Sequence, residues 1–462
     1  MKSSGNRMSP TELRASLSLA GIFGLRMLGM FVILPVFAIY AEHLQGGDNL
    51  TLVGLALGAY GLTQAILQIP FGWLSDRYGR KPVIYFGLAI FAVGSFVAAL
   101  ASDIYIVILG RVLQGAGAIS AAVIALLADL TRDEQRTKAM ALIGATIGLT
   151  FAVSLVASPW LNHMIGVPGI FALTGVLAIL AMGVVYAVVP DVTEQSAAVA
   201  SSAPAQRAPG FFTVLCDPEL ARLNFGILAL HAVLMALFIV VPLSLRDAGL
   251  AVGAHWQVYL PVMLGSFVLL VPAILLAERR GRVKLIFVGA VSLLLAGQLT
   301  MPWLLGGVAE ISVFLLIFFT AFNVLEAMLP SLTSKLAPPG AKGAAIGVYS
   351  SVQFLGTFIG AACGGFLYQH FGARGVFVFD CGLLLAWLVL AAGMRAPSQV
   401  LTRVYALPAL DTRQAGSLEA QLRAQPGVRD VQLAPGERTA SLKVDARGYD
   451  ERVVLRLIEA LT

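Results

Sequence analysis

The sequence predicts an α-helical membrane protein: twelve transmembrane helices in two six-helix parallel repeats, followed by a small soluble α+β domain. Three observations carry this expectation. Apolar stretches long enough to cross a bilayer, about 20 residues each, recur to about residue 394. Basic residues gather in every second connection between them. A charged segment that begins at Asp76 returns, 202 positions later, at Glu278.

The composition is 58% hydrophobic and 12% charged, with mean hydropathy +0.86. Soluble domains carry about 25% charged residues, so a water-soluble fold of this length is excluded. The spans read as about 15–41, 50–75, 82–101, 104–129, 138–159, 168–190, 220–245, 255–278, 284–305, 311–334, 342–370 and 373–394. The first is too long for a signal-peptide core and lacks a small-residue cleavage site, so it is expected to stay as a helix. One set of connections holds seventeen Lys and Arg residues, from Lys2 and Arg14 through Arg80 and Arg132 to Lys335 and Lys342. The other set holds two, Arg246 and Arg374. Positive residues stay inside, which places both termini in the cytoplasm of a multi-pass plasma (inner) membrane protein. The net charge of +6 then reports topology, and nucleic acid is not an expected partner. Cys216, Cys363 and Cys381 show neither disulfide nor metal spacing.

"DRYGRKPVIYFG" from Asp76 and "ERRGRVKLIFVG" from Glu278 match at the acid, Arg, Gly, Arg, Ile and final Gly. Lys138–Gly144 matches Lys342–Gly347 at nearly the same offset. Both members of each pair lie on one side of the membrane, so the halves run parallel, an arrangement suited to rocking about a site at the midplane. The expected organisation is a first bundle over 1–190, a flexible Ala/Ser/Pro linker over 191–217, a second bundle over 218–394 and a soluble domain over 400–462.

"GWLSDRYGRKP", Gly72 to Pro82, packs five ionisable groups and two glycines between the second and third spans. Gly72 allows close helix approach and Gly79 a tight turn. Asp76 can cap a helix N-terminus or pair with arginine, and Arg77, Arg80 and Lys81 anchor the loop inside. These residues match the signature loop of the major facilitator superfamily. "RVLQGAGA" from Arg111 resembles its fourth-helix signature, and "ILPVFAIYAE" resembles the first-helix pattern of its drug:proton antiporters. The resemblance covers about 12–394. It implies a conformational latch of Gly72, Asp76, Arg77, Gly79, Arg80, Lys81 and Asp129, with Asp76 meeting the N-terminal end of the eleventh span near Gly343. It also implies a part in proton transfer for Arg111. The fifth span departs from the antiporter pattern, with Ser158 standing where a glycine is expected.

Charged side chains near a helix centre cost roughly 2.5–3.5 kcal/mol each, so they mark function. Glu326 is the first candidate for a proton carrier, because desolvation disfavours a charged carboxylate and lets it take up and release a proton. His231 is the second. Arg26 and Arg111 are candidate positive partners, or ties between helices. Asp380 reads as structural and partly hydrated. Asn323, Tyr349 and Gln353 are candidate cavity-lining groups, the last two one turn apart on one face.

The composition changes from about Val400, and residues 395–462 hold ten basic and eight acidic groups. Alternation and turn signals predict strand, helix, a hairpin around Pro435-Gly436 and an amphipathic closing helix. This order resembles a ferredoxin-like domain without its last strand. Segments also resemble heavy-metal-associated domains, but the loop "ALPALDTRQAGS" has no Cys or His, so no metal is expected. Self-association or ligand binding is the expected use.

The leading functional expectation is a proton-coupled exporter of small amphipathic molecules, with the proton gradient as energy source and no cofactor. A sugar or metabolite carrier and a membrane sensor signalling through 400–462 are the alternatives. No phosphate-binding Gly-Lys-Ser/Thr loop appears, which disfavours ATP-driven export. No nucleophile–base pattern suggests an enzyme.

Overall fold

The computed structural model describes residues 8–190, 214, 216–279, 282–304, 306–337, 341–394, 400–408, 412–434, 439–445 and 449–459. They fall into two compact units, Met1–Leu275 with Leu285–Met394, and Leu276–Lys284 with Arg395–Thr462. The linker expected over 191–217 and the turn at Pro435-Gly436 lie largely or wholly outside the described residues.

The helices are α1 (Pro10–Phe31), α2 (Leu34–Ala41), α3 (Leu50–Tyr78), α4 (Arg80–Ala99), α5 (Ile104–Ala116) and α6 (Ser120–Asp129). There follow α7 (Asp133–Ala187), α8 (Pro218–Asp247), α9 (Trp256–Arg279), α10 (Val283–Leu304), α11 (Val308–Leu336) and α12 (Lys342–Ala392). They make ten candidate membrane spans. Two of these, α7 and α12, are long helices bent at Gly166 (φ +67°) and Gly372 (φ +64°). Counting each side of those bends separately divides the bundle into twelve segments, with the bends at matching places in the two halves. Glycine is suited to both, because φ > 0 is costly for other residues.

Local chemistry sets the helix starts. Ser9 and Glu12 form a capping box with Pro10 at the first position of α1. Asn49, Asp103 and Asp217 cap α3, α5 and α8 through their side-chain oxygens. The first and fourth spans are each divided, at Val32-Ile33 ahead of Pro35 and at Gly117.

The bundle has a basic face, where Pro10, Tyr78 and Asp129 lie, and an opposite face. Bonds joining the two halves lie toward the opposite face. Leu50 N–H donates to Gln369 Oε1 at 2.7 Å, and Arg246 Nη1 reaches both oxygens of Glu42 at 2.9 and 2.7 Å. Between them α3 and α12 meet backbone to backbone: a Cβ placed on Gly54 would lie 2.2 Å from the Ala361 carbonyl oxygen. A Cβ on Gly365 would lie 2.2 Å from that of Leu50. Near the basic face the same test at Gly144 and Gly148 of α7, and at Gly343 and Gly347 of α12, meets nothing within 4 Å.

The second unit contains β1 (Val400–Ala406), α13 (Thr412–Arg423), β2 (Val428–Ala434), β3 (Thr439–Asp445) and α14 (Glu451–Glu459). The strands form one antiparallel sheet in the order β1-β3-β2, with Val400 opposite Asp445 and Ala434 opposite Thr439. Leu418, Leu422, Val431, Leu442, Val444 and Val454 form its core.

Candidate functional site

Three polar groupings interrupt the apolar bundle. The first is the loop after α3. Gly79, at φ +94°, ends one helix and starts the next, and a Cβ on Gly72 would touch Ala121 at 3.4 Å, so α3 and α6 lie close. Arg80 organises the loop: it donates to Asp129 Oδ2 at 3.1 Å, to Ser75 Oγ at 2.8 Å and to Asp76 one turn away. Lys81 Nζ donates to the Val189 carbonyl at 2.7 Å. Arg77 lies over the rings of Trp73 and Tyr78. The structure therefore brings Asp76, Arg80 and Asp129 together within one half. It does not bring Asp76 to Gly343: the Asp76 side chain is 65% exposed.

Beside this loop stands a pair that the sequence reading missed. Glu12 accepts from Arg132 Nε at 2.9 Å, Nη2 at 3.0 Å and the backbone N–H at 3.0 Å. The signal was legible as Ser9-x-x-Glu12, the capping-box spacing.

The second grouping lies in the second half at membrane depth. Gln353 of α12 stands between His231 of α8 and Glu326 of α11. Its Nε2 is 2.8 Å from His231 Nε2 and 3.3 Å from Glu326 Oε1. His231 Nε2 and Glu326 Oε2 are 3.9 Å apart. The Glu326 side chain is 30% exposed while His231 is buried, and Glu326 Oε2 is itself buried with no hydrogen-bond partner among the described residues. Phe322 packs against the imidazole at 5.9 Å. Tyr349, one turn before Gln353, is buried with no partner for its hydroxyl among the described residues. Asn323, one turn before Glu326, is tied to Ser266 of α9 at 3.0 Å.

The third grouping lies in the first half. Arg26 of α1 donates to Ser120 Oγ at 2.7 Å and to Gln64 Oε1. Arg111 of α5 donates to Gln114 Oε1 at 2.9 Å and to the carbonyls of Gly29 and Ala56 at 3.3 and 3.4 Å. Both guanidinium groups lie over one ring, that of Tyr60, at 5.7 and 4.9 Å from its centre.

Asp380 corrects the sequence reading, which expected partial hydration. It is fully buried, and neither carboxyl oxygen has a partner among the described residues. Trp387, seven residues on and on the same face, packs on Phe287 of α10 and against Gly226 of α8. Asp380 therefore faces helices, not the head-group region. Among the described residues no three His, Cys, Asp or Glu side chains are disposed to hold a metal ion.

The chain matches the Major Facilitator Superfamily over residues 19–361 and 249–409. It is 43% identical over 441 residues to the inner membrane transport protein YajR of Escherichia coli K12, covering 96% of each chain. It is 27% identical over 380 residues to the multidrug resistance protein MdtH of Aeromonas salmonicida, 79% of this chain and 88% of that one. In fold it resembles a bacterial homologue of the human lysosomal transporter Spinster, solved inward-facing and occupied. That likeness has TM-score 0.64 and 14% identity, over 84% of this chain and 96% of that one.

Proposed function

The chain belongs to the major facilitator superfamily, and from that premise we propose that it is a proton-coupled exporter of small amphipathic molecules working by alternating access. As a multi-pass inner-membrane transporter it handles small-molecule substrates within a lipid bilayer. The observation that carries the finer reading is the bridge from Glu326 through Gln353 to His231, three polar side chains from three helices at a depth where charge is costly.

Gln353 gives the cluster a way to register a proton. With neutral His231 accepting at Nε2, the Gln353 amide donates to both neighbours, and Glu326 accepts as a carboxylate. Protonation of His231 at Nε2 turns that nitrogen into a donor, so the amide must rotate and present its oxygen. Proton arrival thereby changes the ties among α8, α11 and α12, the helices whose relative movement alternation requires.

In this reading the basic face is cytoplasmic, both termini lie inside, and the twelve segments form two parallel repeats. The closed α3–α12 seam and the Glu42–Arg246 pair then seal the outer side, and the open surroundings of Gly144, Gly148, Gly343 and Gly347 belong to an inward-facing state. Asp76, free of the eleventh span here, would dock on its N-terminal end when the inner side closes, and Arg80 and Asp129 hold it ready. The 400–462 unit is a ferredoxin-like module lacking its last strand, used for ligand binding or self-association.

The test is reconstitution of the full chain in vesicles with an acid-outside gradient and a screen of labelled compounds, with Glu326→Gln as the control. Gradient-dependent movement lost in the variant supports the reading. Movement indifferent to the gradient refutes proton coupling.

A further inference from the structure

The interior of the first half is cationic and has no acid to balance it. Residues 13–41, 50–75, 82–101, 104–128 and 138–190 contain no Asp or Glu; the acids Glu12, Asp76 and Asp129 of these helices stand at their ends, on the basic face. Arg26 and Arg111 lie deep among them, both fully buried. Their acceptors, Ser120, Gln64, Gln114 and backbone carbonyls, are all neutral. Neutral acceptors satisfy N–H groups but leave charge uncancelled, and an arginine does not shed its proton to escape. The faces of one Tyr60 ring supply a partial negative field to two cations at once. Two polar atoms are also left over: Arg26 Nε and the Tyr60 hydroxyl have no hydrogen-bond partner among the described residues. Two positive charges, an unused guanidinium donor and an unused phenol donor thus sit around one ring.

We propose that Arg26, Tyr60 and Arg111 form the binding site for the anionic head, a carboxylate or comparable oxyanion, of the transported molecule. That molecule is then an amphipathic organic anion; the proposal rests on the transporter reading above. A carboxylate accepts several hydrogen bonds and pairs readily with guanidinium, which suits both the leftover donors and the missing charge. The site has a route of exposure. Tyr60 abuts Phe354 of the other half, with ring centres 6.4 Å apart, and its neighbours Gly58 and Gly61 lie against Phe358 and Phe354 in the α3–α12 seam. Parting that seam takes Phe354 away from the Tyr60 ring. Conversely, the closed seam shields the head from water, where its attraction to the arginines is strongest.

The test compares 2-naphthylacetate with its neutral amide, 2-naphthylacetamide, by calorimetric titration of the purified full-length protein. The acid is expected to bind at least tenfold tighter than the amide. Arg26→Gln should bring the acid down to the amide's level without changing the amide, and Arg26→Lys should fall between. Tyr60→Phe removes a hydroxyl that has no hydrogen-bond partner among the described residues, so it should fold normally and weaken the acid several-fold; it decides the matter if Arg26→Gln fails to fold. Equal binding of acid and amide, or acid binding unchanged by Tyr60→Phe and Arg26→Gln, overturns the proposal. Gradient-driven uptake into vesicles separates the two readings. Neutral or cationic compounds moving without any acid-over-amide preference sinks the anion site alone. Acid selectivity in binding without movement of any compound sinks the transporter reading and leaves the site standing.

Discussion

Gly54→Ala tests how tightly the two halves are closed on each other. The added methyl would lie 2.2 Å from the Ala361 carbonyl oxygen and 3.0 Å from Gly365 Cα, both backbone atoms of the other half. A relaxed C···O contact is about 3.3 Å, so α3 and α12 must separate by roughly 1 Å or the seam must open. Overpacking of this kind costs about 1–3 kcal/mol, which corresponds to a shift of about 5- to 150-fold toward the state in which the seam is parted. The assay uses Thr357→Cys, a buried seam position, in a background where Cys216, Cys363 and Cys381 are replaced, with a membrane-impermeant maleimide added from the opposite face. Labelling should accelerate by that factor in Gly54→Ala. Gly21→Ala, where a Cβ meets nothing within 4 Å, controls for the general gain in helix propensity. If the folded Gly54→Ala protein labels at the parental rate, the seam is not what holds this state, and the reasoning fails.

Glu42→Gln or Arg246→Gln should raise the same labelling only about two- to fivefold, since a partly exposed pair is worth about 0.5–1 kcal/mol. The effect should shrink in 1 M salt, and exchanging the two charges should restore closure. Arg132→Ala should destabilise more than Glu12→Gln in thermal unfolding, by about 1–3 kcal/mol. It strands a carboxylate whose side chain is 7% exposed, whereas the reverse change weakens one contact of an arginine already 51% exposed; the double variant should cost less than the sum. In the second unit, partial burial together with hydrogen bonding to Tyr449 and Glu451 raises the Tyr405 phenol above its ordinary value. Its folded form therefore keeps a proton that the unfolded chain gives up near pH 10. Stability from this group is full below that pH and falls as pH rises past it. Ultraviolet titration should show Tyr405 within the late-ionising fraction of the tyrosines, and Tyr405→Phe should reduce that fraction by one phenol.

Hydropathy and charge are properties of short stretches, so the sequence by itself marked the apolar stretches long enough to cross a membrane, the connections that carry the basic residues, and two pairs of segments that match about 200 positions apart. It also singled out the Gly72–Lys81 loop, whose members are local enough for Arg80 to reach Asp76 one turn away. Glu326, His231 and Gln353 were nameable individually because charge and polarity are rare at such depth. Their assembly was not legible, since Gln353 stands 122 residues from His231 in the chain and 27 from Glu326. The physical reason is that both the lipid-facing and the core-facing sides of these helices are apolar. An amphipathic helix in water reveals its inner face; a membrane helix largely does not. Only the tertiary structure could therefore decide that Asp380 points among helices instead of toward water, and that Gly54 and Gly365 meet across the seam. The same rotation of the helices put two arginines on one tyrosine ring.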